Sequence, residues 1–385
     1  MIPIRCTILR GGTSKGIYLL ENDLPQCPEQ REKVILEIFG SPDKRQIDGL
    51  GGADPLTSKV AIVGPSQRPG IDLEYTFGQV AIDHPKVYYK SLCGNITSGV
   101  APFAINHGLV KAVEPVTVVK MYNKNTGKVL IAEVPVKDGK YLETGDYAIA
   151  GVPGTGAKIS IDFCNSEGAL TGKLLPTGNL QDELEVEGIG KISVSIVDFA
   201  TCQIFVNAKD VGLIGTEMPI EVDSNPMLLK KLESIRCKGA VLAGLASSSE
   251  NAATEAKNTP HLVIVSEARD YISHLSQNTI GRKEIDIVAR MMFMQIMHKT
   301  YAGTGSICTA IASKIPGTIA NEFYKKAESD RDAVRIGHPG GIIEVEAIVG
   351  QKNDNYIVKR ASIGRTARQI MVGYVFIRDL HESKV

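Results

Sequence analysis

Pro3 to Leu9 and Ile192 to Phe199 carry the alternation of apolar and polar residues, rich in branched side chains, that marks a half-buried strand. Each is followed by an apolar run that ends in an Asp-containing turn, Ile17-Tyr-Leu-Leu-Glu-Asn-Asp-Leu24 and Ile204-Phe-Val-Asn-Ala-Lys-Asp-Val211. A second matched pair lies deeper in each half. Tyr89-Lys-Ser-Leu-Cys-Gly-Asn95 leads into Val100-Ala-Pro-Phe-Ala-Ile105, and His298-Lys-Thr-Tyr-Ala-Gly-Thr304 leads into Ile307-Cys-Thr-Ala-Ile-Ala312. In both, a glycine-bearing turn feeds a short helix that is apolar nearly all round, and such a helix must be buried on every side. Pro102 places the start of the first helix near Ser98, because proline fits best in a first turn. Pro316-Gly317 ends the second.

Two landmarks in the same order predict a duplicated α/β (α+β) chain, each half a mixed β-sheet wrapped around a central apolar helix. The boundary is expected at residues 181 to 190, where Gln-Asp-Glu-Leu-Glu-Val-Glu-Gly-Ile-Gly is acidic and turn-rich. That gives domains 1–185 and 186–385, with the last strand able to return to the first. The length of 385 residues agrees, since single cores stop growing at roughly 250 to 300 residues.

Charge narrows the function. Lys and Arg number 43, as do Asp and Glu, so no global field favours nucleic acid or an acidic membrane surface. The N-terminus lacks a signal-peptide core and no run of 18 apolar residues occurs, so a cytoplasmic protein is expected. Seven cysteines are scattered singly, without a C-x-x-C pair, which disfavours structural zinc and a disulfide framework. No convincing dinucleotide or P-loop fingerprint is present, and carboxylates and histidines do not cluster, so neither cofactor nor metal is expected.

Six ordered motifs add a family. Arg10-Gly-Gly-Thr-Ser-Lys-Gly16, Gly51-Gly-Ala-Asp-Pro-Leu-Thr-Ser-Lys-Val-Ala-Ile62, Cys93-Gly-Asn95, Leu175-Pro-Thr-Gly-Asn179, Ile336-Gly-His-Pro-Gly340 and Gly364-Arg-Thr-Ala-Arg368 together resemble the PrpF family over residues 5 to about 376. The resemblance implies a diaminopimelate epimerase-like fold with two pseudo-symmetric domains and an active site between them. Members isomerise 2-methylaconitate, interconvert 3-methylitaconate and 2,3-dimethylmaleate, or tautomerise 4-oxalomesaconate. What it implies here is a cofactor-independent isomerase that moves an allylic proton in a small unsaturated di- or tricarboxylate, 3-methylitaconate first among them. It also implies a homo-oligomer.

The candidate residues follow from that chemistry. Cys93 stands at a Gly-Asn turn before a buried helix, where free N–H groups and the helix dipole favour anions. An average cysteine is instead a small buried hydrophobe; the motif and the resemblance select this one. Lys59 enters the strand-like run Thr57-Ser-Lys-Val-Ala-Ile-Val63, and a desolvated lysine can act as a base near neutral pH. Its match to the family's active-site lysine outweighs the ordinary reading of a solvent-facing strand lysine. Thr13, Ser14 and Lys15 form a glycine-bracketed turn able to cradle a carboxylate. Gly94 and Asn95 offer donors from the first central helix, and Gly303, Thr304, Gly305 and Ser306 from the second. His338 and Arg365 are weaker candidates, since loop His and Arg are more often structural donors.

Amino-acid epimerases of this fold use two opposed cysteines. Here the internal repeat sets Ala302 opposite Cys93, and Cys308 lies six residues further on, inside an apolar helix. A proton shift on one face of the substrate is therefore favoured over stereoinversion. An epimerase or racemase, and a non-catalytic carboxylate binder, remain the competing readings.

Overall fold

The computed structural model describes residues 1–89, 92–324, 332–353 and 355–378. Lys90 and Ser91 of the first glycine-bearing turn lie outside them. The fold has two compact units, Met1–Ile161 with Gly364–Val385, and Asp162–Ile363.

The first unit contains β1 (Ile2–Gly11), β2 (Ser14–Leu20), α1 (Pro28–Phe39), β3 (Lys59–Pro65), β4 (Leu73–Val80), β5 (Val87–Tyr88) and α2 (Gly94–Asn106). It continues through β6 (Val116–Asn123), β7 (Lys128–Lys137), β8 (Lys140–Tyr141) and β9 (Ile159–Asp162). Branched residues in Val60-Ala-Ile-Val63 suit β3 to the buried interior of a sheet, where it runs parallel to β2 and antiparallel to β4. Helix α1 has Pro28 in its first turn and stops at Gly40, which takes the left-handed conformation. Its stripe Val34, Ile35, Ile38 and Phe39 packs on Ile4, Cys6, Ile17, Leu19, Val60 and Ile62 of the strands.

The second unit holds β10 (Asp182–Val186), β11 (Gly190–Phe199), β12 (Thr201–Asn207), α3 (Pro219–Asp223), α4 (Pro226–Leu242), α5 (Ser249–Glu255) and β13 (His261–Ser266). Next come β14 (Tyr271–Ile272), β15 (Thr279–Ile280), β16 (Ile287–Phe293), β17 (Ile296–Met297), α6 (Gly303–Lys314) and α7 (Ile319–Phe323). Strands β18 (Ala333–His338), β19 (Gly341–Lys352) and β20 (Asn355–Arg365) follow; the last two residues of β20, Gly364 and Arg365, already belong to the first unit, where β21 (Ala367–Ile377) runs antiparallel to β1.

The same pairing sequence occurs twice. In the first unit β2 is parallel to β3, β3 antiparallel to β4, β4 parallel to β6, and β6 antiparallel to β7. In the second, β12, β13, β16, β18 and β19 repeat that order. Each unit encloses one helix: Gly94 to Ile105 of α2 and Gly303 to Ser313 of α6 are all buried. The expected mixed sheet around a central apolar helix is thus present in both.

Two expectations change. Helix α2 begins at Gly94 rather than near Ser98, so Pro102 sits well inside it. Proline removes one ladder bond there, but strands β1, β2, β3 and β7 pack around α2, and packing rather than its own ladder holds it. The unit division falls at Ile161/Asp162, whereas 185/186 lies in β10, whose pairing with β11 ties it into the second unit.

Candidate active site

Lys59 is the first residue of β3, with Gly16 of β2 opposite it on one side and Gln79 of β4 on the other. That central position leaves it 7% exposed. Its Nζ donates to Gln79 Oε1 at 2.8 Å and lies 5.4 Å from the centre of the Phe77 ring. Among the described residues it forms no ion pair with a carboxylate. The Gln79 amide is itself held, because Nε2 donates to the carbonyls of Pro55 (3.1 Å) and Ser58 (3.0 Å).

Cys93 is the N-cap of α2 and is half-buried. Its carbonyl accepts from the Thr97 N–H and from Thr97 Oγ1, both at 2.9 Å, and the Thr97 hydroxyl also meets Tyr75 Oη at 2.8 Å. The amides of Gly94, Asn95 and Ile96 precede that first helical bond, so this end has donors to spare. A Cβ built on Gly16 would stand 2.7 Å from Ile96 Cδ1 and 3.1 Å from the Lys59 carbonyl, so bare backbone there lets the first turn of α2 approach the start of β3.

The β1–β2 turn closes over the same helix end. Asn95 Nδ2 donates to Thr13 Oγ1 at 2.9 Å, and Arg365 Nε donates to Asn95 Oδ1 at 3.3 Å. Arg365 is 5% exposed, and its Nη1 donates to the Gly364 carbonyl at 2.9 Å. Desolvation lowers its pKa to about 10, with Tyr147 and Cys93 acting in the opposite direction, so it stays cationic at neutral pH. Among the described residues Ser14 Oγ is buried without a hydrogen-bond partner, an unusual condition that a bound oxyanion would relieve. Lys15 is half-buried in β2, its N–H bonded to the Leu56 carbonyl.

The remaining candidates belong to the second unit. Ala302 is the N-cap of α6, and Gly303, Thr304, Gly305 and Ser306 form its buried first turn. Ser306 Oγ donates within that turn to the Gly303 carbonyl at 2.8 Å. His338 ends β18, with 2% exposure, and its Nδ1 accepts from the Gly340 N–H at 3.1 Å. Its ring lies 6.1 Å from that of Tyr301, beside Ala302. The candidates thus form two groups, one at the start of each central helix.

Cys308 is a different kind of thiol. It is fully buried in α6, donates to the Val197 carbonyl at 3.3 Å, and has its pKa raised by desolvation. We expect Cys308→Ala to change turnover less than about threefold while lowering stability by about 1 kcal/mol, as a small buried truncation does. Parallel rate and thermal-unfolding measurements check this; a large loss of turnover at unchanged stability would give Cys308 a role in the reaction.

Two residues of the site escaped the sequence reading. Gln79 accepts from Lys59, and Arg10 Nη1 ties the Gly12 carbonyl to the Thr366 carbonyl, at 2.9 Å each. Arg10 opens the first of the six motifs and was detectable. Gln79 depends on the β3–β4 register and was not.

Known proteins agree with this architecture. The family model described as PrpF protein matches residues 1–378. A 3-methylitaconate isomerase of Eubacterium barkeri is 52% identical over 97% of this chain and 97% of its own. A 2-methyl-aconitate isomerase of Shewanella oneidensis is 37% identical over 97% of this chain and 96% of its own. The crystal structure of a methylitaconate-delta-isomerase superposes with a TM-score of 0.87 at 52% identity, covering 98% of this chain and 96% of that one. On this agreement of family model, sequence and fold, the chain is an isomerase belonging to the PrpF family.

Proposed function

We propose that the enzyme catalyses a 1,3-allylic proton shift, without a cofactor, on a small unsaturated carboxylate, and that its substrate is 3-methylitaconate, converted to 2,3-dimethylmaleate. The observation that carries this reading is a buried amine with a neutral acceptor, Lys59, in the same unit as a half-buried thiol at a helix N-terminus, Cys93. Identity of 52% to a 3-methylitaconate isomerase, against 37% to a 2-methyl-aconitate isomerase, orders the substrates.

In 3-methylitaconate the mobile hydrogen sits on the methyl-bearing carbon, flanked by a carboxylate and the methylene-bearing carbon. Lys59 takes that proton, and the electron pair spreads through the allyl system into the carboxylate. Cys93 gives a proton to the terminal methylene carbon, which becomes a methyl group as the double bond moves inward. Proton return from the Lys59 ammonium to the Cys93 thiolate resets the pair, and the two groups can exchange roles. The dienolate needs donors that are already in place, because preorganised dipoles in a water-poor site stabilise developing charge best. Ser14 Oγ, the free amides of α2 and Arg365 are suited to that task.

Proton NMR in deuterated water tests the proposal. Incubation of 3-methylitaconate with enzyme dialysed against a chelator is expected to replace the vinyl signals by methyl signals carrying deuterium. Inversion of proline or diaminopimelate, or binding of methylitaconate without exchange, would refute it. Methylaconitate turned over at a higher kcat/KM than methylitaconate would move the substrate assignment within the same chemistry.

A further inference from the structure

We propose that Gln79 is a positioning residue that aims Lys59 while withholding a negative charge from it. The inference rests on the reading of Lys59 as a proton-transfer group and adds what makes that group usable. Carbonyls only accept, so Pro55 and Ser58 claim the NH₂ of the Gln79 amide and turn its oxygen towards Lys59 Nζ at 2.8 Å. The amine is thereby oriented by an acceptor that is itself locked at both donors. Phe77, two residues earlier on β4, supports the same nitrogen with its ring face.

The charge pattern around β3 gives the amide its significance. The carboxylates on elements packed against β3 are Glu21 and Asp23 in the turn after β2, and Glu74 on β4. Glu74 pairs with Gly64 in register, five residues from Lys59, which is about 16 Å along a strand. Glu21 also lies against Gly64, and Glu21 and Glu74 are both bound to Lys124. The other titratable groups on these elements are Lys15 and Tyr18 of β2, Tyr75 of β4, and Cys93 at the start of α2, and burial raises the pKa of both tyrosines so that they stay neutral. Among the described residues a carboxylate at position 79 would be the first anion in direct contact with Lys59, and it would hold the amine as an ammonium.

The test compares Gln79→Glu, Gln79→Met and Lys59→Ala by pH–rate profiles of kcat and by thermal unfolding. Gln79→Glu is expected to lower kcat at neutral pH at least tenfold and to move the rising limb of the profile up by about one pH unit or more. Gln79→Met, which keeps the volume but not the acceptor, is expected to lower kcat about tenfold or more with KM changed less than threefold. A purely structural Gln79 would lower the unfolding temperature and leave limb and kcat per folded molecule in place, and that result overturns the inference. Should Gln79→Glu not fold, the kcat of Gln79→Met decides in the same way. An inactive Lys59→Ala beside fully active Gln79 variants sinks this inference alone, whereas an active Lys59→Ala sinks the reading of Lys59 beneath it.

Discussion

Lys59→Ala is expected to lower kcat by about 10³-fold, within the range that removal of a general acid–base group produces. The size follows from the isolation of the amine. Its nitrogen contacts Gln79 and Phe77, and neither an amide nor a phenyl ring can accept a proton from carbon at useful rates. Water is a poor substitute at a site that is 7% exposed. Alanine also empties space beside Phe77, so Lys59→Met, which fills it, separates lost chemistry from lost packing. Lys59→Arg separates base from charge, because guanidinium keeps the cation and does not deprotonate. All three variants should be inactive if the amine moves the proton; an active Lys59→Arg would make position 59 a carboxylate holder, and an active Lys59→Ala would remove it from the reaction.

Cys93→Ala refines the same experiment. If Lys59 takes the first proton and Cys93 gives the second, this variant should still exchange the hydrogen of the methyl-bearing carbon with deuterium while isomerising slowly. Exchange of the methyl hydrogens of 2,3-dimethylmaleate, with the hydrogen on the methyl-bearing carbon of methylitaconate left in place, would reverse the roles.

The duplication and both central helices were legible because their signals are local. Alternating strands at Pro3 and Ile192, and helices apolar on every face, admit few other arrangements. The start of α2 was misjudged for the converse reason: Pro102 speaks for local propensity, and burial of the whole helix overrides it. The unit division was missed because residues 163 to 180 carry no periodic pattern. They join the second unit through bonds such as Gly168 N–H to Asp198 O and Asp198 N–H to Leu174 O, which only the fold creates. Motif membership was likewise a mixed guide. Thr177 and Asn179, from one of the six motifs, both bond the Asp182 carboxylate at the start of β10, at 2.8 and 2.7 Å, which is a structural task. Gln79 lies outside every motif and touches Lys59, because strand register places residues twenty apart side by side.

Gly12→Ala is expected to damage the site nearly as severely without touching either proton-transfer group. Gly12 holds φ = +51° in the β1–β2 turn, a conformation that disfavours any side chain by about 1 kcal/mol. A Cβ there would stand 2.2 Å from Asn95 Oδ1 and 2.8 Å from Asn95 Cγ, far inside contact distance. The turn cannot retreat easily, since the Gly12 N–H bonds the Thr366 carbonyl and the Gly12 carbonyl accepts from Arg10, each at 2.9 Å. Asn95 must therefore move, and with it go the bonds to Thr13 and Arg365 that join turn, helix and guanidinium. Overpacking of this kind destabilises by roughly 1–3 kcal/mol, and misplacing carboxylate-holding groups by an ångström reduces turnover by about 10²-fold. Gly70→Ala supplies the control. Its φ is +73° but no atom of the described residues lies within 4 Å of the added carbon, so it bears the backbone term alone and should keep full activity. If Gly12→Ala matched Gly70→Ala in both unfolding temperature and kcat/KM, the Thr13–Asn95–Arg365 network would have no part in holding substrate.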